Sequence, residues 1–205
     1  MASVLARAKL ARLAHRLNAR SDWYLPPLIL MTDDERVRDP LAAAGSLPKG
    51  AAVILRHRND EKRASLGAAL RGLTRRNDLL LLIAGDAALA TRLGADGVHF
   101  PEAQWTAIMP CRTRHPEWII TAAAHSERAL LRANRAGADA VLLAPLFHTK
   151  SHPKRADFGV ARFRLLAARA PIPVYALGGV TAANAGRLVE APIAGIAAID
   201  GLLAD

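Results

Sequence analysis

The chain is predicted to fold as a (β/α)8 barrel, and three observations carry this expectation. Short apolar runs, each about one strand long, alternate along the sequence with helix-compatible stretches. Three consecutive runs, 119–124, 140–145 and 174–177, end in polar or glycine residues: His125-Ser126, Phe147-His148-Thr149 and Gly178-Gly179. The unit Gly94-Ala95-Asp96-Gly97 returns about forty residues later as Gly137-Ala138-Asp139-Ala140, each time leading into an apolar run. Runs that are apolar throughout suit strands of a parallel sheet covered by helices, where function gathers at the carboxyl ends of the strands. The stretch from Ile119 to Gly179 therefore reads as one side of an active-site rim.

Residues 1–20 carry Arg7, Lys9, Arg12, Arg16 and Arg20 with no acid, and Val4, Leu5, Leu10, Leu13 and Leu17 at near-helical spacing. Such a stretch resembles a transit peptide or a surface-binding helix. The plainer reading is an amphipathic helix over 1–22 that lays its leucines across the bottom of one barrel domain, 23–205. The first strand is expected in 25–32, with Pro26 and Pro27 at its start, where no ladder donor is needed. A second follows at 51–56, then a helix over 60–75 through Leu66, Ala69, Leu70 and Leu73, and a third strand at 79–83. A short helix over 86–93 leads through Gly94 to a fourth strand at 97–100.

In both copies of the recurring unit, glycine ends a helix in a left-handed conformation and the aspartate, Asp96 or Asp139, is a turn residue. The fifth strand ends at His125, with Ser126 as N-cap of a helix over 127–136. The sixth ends near Leu146, and a polar loop over 148–157 precedes a helix over 160–170. The seventh strand is expected at 173–177, a helix at 182–189 and the eighth strand at 195–199. Only 200–205 remain, too few for a closing helix, so either the N-terminal helix covers the last strand or a neighbouring subunit of a homodimer does.

At 205 residues the chain suffices for one domain with a full core, at the short end for such a barrel. With 52% hydrophobic but only 4% aromatic residues, that core must consist of many small aliphatic contacts. The single Cys111 excludes an internal disulfide framework and a cysteine zinc cluster, so a reducing compartment, the cytoplasm, is expected. No run approaches the roughly twenty apolar residues that span a bilayer. The net charge of +10 suits an anionic partner: nucleic acid, a membrane surface or a phosphorylated substrate. The arginines, however, fall mostly on expected outer helices with no interleaved aromatics for stacking bases, so neither a nucleic acid nor a membrane is expected as partner.

Nine motifs stand in order over roughly 28–203: Leu30-Met31-Thr32-Asp33, Val53-Ile54-Leu55-Arg56, Gly94-Ala95-Asp96-Gly97-Val98-His99, His125-Ser126, Gly137-Ala138-Asp139, Pro145-Leu146-Phe147-His148-Thr149, Phe158-Gly159, Ala176-Leu177-Gly178-Gly179-Val180 and Gly195-Ile196-Ala197. This order resembles the thiamine phosphate synthase family and its metal-independent relative, the thiazole tautomerase. The resemblance implies a barrel that handles a thiazole phosphate; in the synthase, this is joined to a pyrimidine whose diphosphate leaves with help from Mg2+. Charge accumulates on the departing oxygens, so that reaction needs a cation and basic groups.

Several of the family's parts differ here. Its Gln-x-Arg-x-Lys on strand two reads Ile54-Leu55-Arg56-His57-Arg58, keeping the arginine and exchanging lysine for Arg58. Its Asn-Asp pair after strand three is Ala84-Gly85, with Asp86 one position late and placed to cap the next helix. The second metal-binding aspartate falls at Gln104, with Glu102 the nearest carboxylate. Neither glycine nor glutamine replaces a hard anionic ligand for Mg2+. The serine expected two residues before His125 is Ala123, and the Thr-x-Thr-Lys loop reads Thr149-Lys150-Ser151-His152, with Lys150 and Lys154 as its cations. On strand eight the serine that would help hold the thiazole phosphate is Asp200, which repels a dianion unless paired with a neighbour such as Lys150.

The resemblance thus implies substrate contacts at Arg56, Arg58, Thr149, Lys150, Ser151, Gly178, Gly179 and Asp200, with no metal ligand and no cofactor. Mg2+ enters only if the synthase reaction survives on relocated ligands, Asp33, Asp86 or Glu102. Gly178-Gly179 at a strand end is either an anion site built from backbone N–H groups or a plain turn. His125 is either an acid/base, as the tautomerase uses a histidine at the matching position, or a packed or capping residue. Asp33 orients a ligand or caps, and His99 packs. His148 and His152, four apart, lack the third ligand and the helix that a zinc site would need. The expected partner is a small phosphorylated thiazole or thiamine-like ligand, and the expected activity is metal-independent proton transfer through His125. The synthase reaction and non-catalytic binding of a phosphorylated ligand are the alternatives.

Overall fold

The structure, a computed structural model, describes residues 2–20, 24–57, 60–149 and 156–203. Eight parallel strands close into a barrel in sequence order: β1 (Leu28–Met31), β2 (Ala52–Leu55), β3 (Leu80–Ala84), β4 (Gly97–Phe100), β5 (Ile119–Ala124), β6 (Ala140–Leu143), β7 (Val174–Ala176) and β8 (Gly195–Ala198). The seam is shut by β1 on β8, with Leu28 opposite Ile196 and Leu30 opposite Ala198. Nearly every strand residue is buried, as expected of strands with the barrel interior on one side and helices on the other.

The helices are α1 (Ala2–Asn18), α2 (Pro40–Gly45), α3 (Asp60–Arg76), α4 (Ala87–Leu93), α5 (Ile108–Arg114), α6 (Glu127–Ala136) and α7 (Gly159–Arg169). Leu10, Ala14 and Leu17 of α1 are buried, whereas Val4 and Leu5 are exposed. The helix packs on β1, β8 and the single turn Asp200–Leu202 that follows β8, so it covers the seam strand β8. Asn18 fastens its end, donating from Nδ2 to Leu25 O at 3.1 Å and Ala194 O at 2.7 Å, just ahead of β1 and β8.

The recurring glycine-aspartate unit is a structural repeat. Gly94 and Gly137 end α4 and α6 at φ 58° and 91°. Asp96 then accepts from the Leu81 N–H of β3 at 2.8 Å and from Arg71 of α3 at 2.7 Å. Asp139 repeats this with the Ile120 N–H of β5 at 2.6 Å and Arg112 of α5 at 2.5 Å. Each aspartate thus ties the preceding strand to the helix before it.

Three features differ from the sequence expectation. The helices α2 and α5 arise where no element was foreseen, and the helix expected at 182–189 is only a 3-10 turn, Ala185–Leu188. There Asn184 accepts the Thr181 N–H at 2.8 Å and donates to Gly179 O at 2.8 Å, holding the chain in a turn rather than releasing it into a helix. Among the described residues no helix is long and apolar enough to cross a membrane.

Candidate active site

A cavity of about 570 Å3 opens at the carboxyl ends of the strands. His125, Arg56, Thr149, Gly178, Gly179 and Asp200 all line it. Arg58, Lys150 and Ser151, and with them Lys154 and His152, lie outside the described residues.

His125 stands at the end of β5. Its Nδ1 lies 2.8 Å from Ala144 O. A carbonyl only accepts, so Nδ1 carries the hydrogen and Nε2 the lone pair of the neutral ring. Its backbone N–H donates to Glu102 Oε2 at 3.0 Å, and Glu102 Oε1 is 3.2 Å from Arg132 of α6. The capping role at this strand end belongs to the next residue: Ser126 Oγ accepts from the Ala129 N–H at 3.1 Å. His99 of β4 lines the same cavity while almost wholly buried, with Nδ1 at 2.9 Å from Thr121 Oγ1. Burial, reinforced by the nearby Arg56 and His125, pushes its pKa down to about 3, so His99 is neutral at any physiological pH.

The first two strand ends carry a charge cluster. Asp33 caps the turn after β1, accepting the N–H groups of Glu35 at 3.2 Å and Arg36 at 3.1 Å. Its other oxygen takes Arg36 Nη2 at 3.0 Å and Arg56 Nη2. Burial alone would raise this carboxyl's pKa; the hydrogen bonds from Arg36 and Glu35 outweigh it and hold the group well below the usual carboxylate range. Arg36 also reaches Asp200, Nη1 to Oδ2 at 3.6 Å. Burial opposes charge on Arg36, but Asp33 and Asp200 more than restore it, so its guanidinium is firmly protonated. Asp200 is therefore paired, with Arg36. Beside this cluster His57 Nδ1 lies 3.1 Å from Thr32 Oγ1 and lines the cavity.

Gly178 and Gly179 follow β7 at φ 96° and 64°. A side chain on either would strike the segment after β6: a Cβ at Gly178 would lie 2.8 Å from Pro145 Cα, and one at Gly179 2.3 Å from His148 O. Their carbonyls are used, Gly178 O by the Phe147 N–H at 3.0 Å and Gly179 O by Asn184. Their N–H groups have no hydrogen bond among the described residues. Packing thus requires both glycines, and the same conformation leaves N–H donors at the cavity wall.

At the end of β3, where the resemblance places one metal-binding aspartate at Gly85 and the second at the nearby Gln104, the donors do not fit Mg2+. Ala84 offers only its carbonyl, which accepts from Arg63 Nη2. Gly85 has no side chain, and a Cβ there would meet Gln104 Oε1 at 2.9 Å. The nearby carboxylates are committed: Asp86 caps α4 through the Leu89 N–H at 2.8 Å, and Glu102 holds His125 and Arg132. Among the described residues no three His, Cys, Asp or Glu side chains converge as a metal-binding group.

Arg36, His57 and Arg63 were not foreseen as site residues, and Glu102, considered only as a relocated Mg2+ ligand, instead pins His125 and Arg132. Only Arg36 had a local signal, three residues after Asp33 in a polar turn; Arg63 arrives from α3, and its reach depends on barrel closure.

The thiamine monophosphate synthase (TMP-TENI) family model matches residues 28–202. A thiamine-phosphate synthase of Chromobacterium violaceum is 33% identical over 175 residues, 83% of this chain and 83% of its own length. Another, from Methanoculleus marisnigri, is 34% identical over 174 residues, covering 80% of this chain and 78% of the relative. Among solved structures, a thiamine phosphate pyrophosphorylase from Pyrococcus furiosus superposes with a TM-score of 0.71 at 24% identity, covering 91% of this chain and 87% of the other.

Proposed function

Because this chain belongs to the thiamine monophosphate synthase family, we propose that it is an enzyme of thiamine biosynthesis that isomerises a phosphorylated thiazole by metal-independent proton transfer, with His125 as acid and base. The observation that carries this reading is the His125 hydrogen bond to Ala144 O, which assigns the lone pair to Nε2 at a strand end lining the cavity. In the proposed step Nε2 takes a proton from one carbon of the substrate while the ring double bonds shift. The resulting imidazolium, steadied by its Nδ1–H on the carbonyl, returns a proton to another carbon. No other bond forms or breaks, so neither oxidant nor leaving group is needed. General acid–base catalysis of this kind contributes about a hundredfold to ten-thousandfold.

The phosphate would sit against the Gly178 and Gly179 N–H groups, with Arg56 and Arg36 as guanidinium donors and Thr149 as a hydroxyl lining the same cavity. Pairing of Asp200 with Arg36 supports phosphate binding there, since it offsets the repulsion that an isolated carboxylate would exert. The second reading is the synthase reaction, favoured by the names of the relatives and by the retained Arg56. It would require a Mg2+ site assembled from carboxylates that already cap α4 or hold His125, Arg36 and Arg56.

Calorimetric titration with thiazole phosphate, thiazole carboxylate phosphate and the pyrimidine diphosphate, each in EDTA and in Mg2+, separates the two. Binding of the thiazoles in EDTA supports the isomerase reading. Binding of the pyrimidine diphosphate in Mg2+, followed by release of pyrophosphate in the presence of thiazole phosphate, establishes the synthase instead.

A further inference from the structure

We propose that the guanidinium of Arg63 is a built-in cation that takes the place of a divalent metal at the end of β3 and binds the second anionic group of the substrate. The inference rests on the site assigned above and concerns the wall facing Gly178-Gly179. In the closed order β3 and β7 lie four strands apart in either direction, so the ends of these strands face each other across the cavity. One wall offers the glycine N–H groups. The other offers Arg63, which lines the same cavity although its side chain is only 12% exposed.

The placement of Arg63 is specific. It projects from the first turn of α3, and its Nη2 donates to Ala84 O at the last residue of β3. Its Nη1 lies 3.9 Å from Asp86 Oδ2, an ion pair too long for a hydrogen bond. Its Nε is buried with no hydrogen-bond partner among the described residues. A guanidinium has five N–H donors, and a buried one is costly when left unmatched. The neighbouring positions, Ala84, Gly85 and Gln104, bring no negative charge, so the positive charge of Arg63 is only loosely countered by Asp86. A planar donor group in that setting suits a carboxylate or a phosphoryl oxygen, bound without a metal.

Two substrate groups share this oxyanion chemistry: a carboxylate on the thiazole ring, as in thiazole carboxylate phosphate, or a diphosphate. The test is calorimetry in EDTA with inorganic pyrophosphate as one probe, and thiazole phosphate with and without its ring carboxylate as the other. The wild type is expected to bind at least one of these anions in EDTA, with affinity changed less than twofold by Mg2+. Arg63→Met should weaken that binding about tenfold to a hundredfold, while Arg63→Lys, which keeps the charge, should recover part of it. Loss of the preference for the carboxylated thiazole in Arg63→Met assigns the group as a carboxylate; loss of pyrophosphate binding assigns a diphosphate.

Thermal unfolding of both variants checks that the barrel is intact; if Arg63→Met is unfolded, Arg63→Lys and Arg63→Gln replace it. Binding that depends on Mg2+, or an Arg63 variant that folds and binds like the wild type, overturns the inference. The proposed proton transfer is tested separately: metal-free turnover with no effect of Arg63 would retain the isomerase and discard this site. Arg63-dependent pyrophosphate binding without turnover would do the reverse.

Discussion

Arg36 Nη1 lies 3.6 Å from Asp200 Oδ2, linking the turn after β1 to the turn after β8 across the seam where the barrel closes. The same guanidinium holds Asp33, which in turn holds Arg56, so two arginines and two aspartates form one cluster with no net charge. Removing Arg36 should therefore expose the Asp200 carboxylate to a bound phosphate. Arg36→Met is expected to weaken thiazole phosphate binding about tenfold, the scale of a lost charged contact, and adding Asp200→Asn should restore most of it. A double-mutant cycle by calorimetry reads this coupling. Additive effects of the two changes would refute it.

Acid should destabilise the protein in two stages. The His99 pKa is depressed by burial to about 3, so its contribution to stability is complete above the unfolded value near 6.5 and is lost as the pH falls towards 3. In that window the unfolded chain takes up a proton that the native one refuses, with a slope of about 1.4 kcal/mol per pH unit for each such proton. Asp33, also depressed, contributes stability above its ordinary value near 3.8 and loses it only as the pH falls further. Denaturant unfolding from pH 7 to 3 should show the first stage flattened in His99→Gln, and below pH 4 the second stage reduced in Asp33→Asn.

The docking of α1 separates its two faces. Leu10 is fully buried and Val4 more than half exposed. Leu10→Ala should cost about 2–5 kcal/mol, as large-to-small changes in cores do, and Val4→Ala less than about 0.5 kcal/mol. Equal effects of the two in thermal unfolding would mean that α1 is not part of the cooperative unit.

Much of the barrel was legible because its strands are apolar throughout and are punctuated by Gly94, Gly137 and the aspartates behind them, features set by local chain geometry. The helix α5 was hidden by Pro110, which reads as a breaker; at the third position of a helix its missing N–H has no intrahelical acceptor to lose. The helix α2 is six residues long, too short for an apolar period, and depends on Asp39, which accepts the Ala42 N–H at 2.9 Å. At the site, the strand-end residues His125, Gly178 and Gly179 could be found because position along a strand places them. Arg63 could not, nor could the reach of Arg36 to Asp200, since long side chains from a helix and a turn meet Ala84 and Asp200 only after distant units have come together.

The central claim, metal-independent proton transfer through His125, is tested most directly by incubating the protein with thiazole carboxylate phosphate in D2O and EDTA and following deuterium in the product by NMR. The account predicts isomerisation with deuterium entering at carbon in the wild type. In His125→Ala the rate should fall about a hundredfold or more while the substrate still binds. Turnover that requires Mg2+, or that proceeds undiminished in His125→Ala, would contradict it.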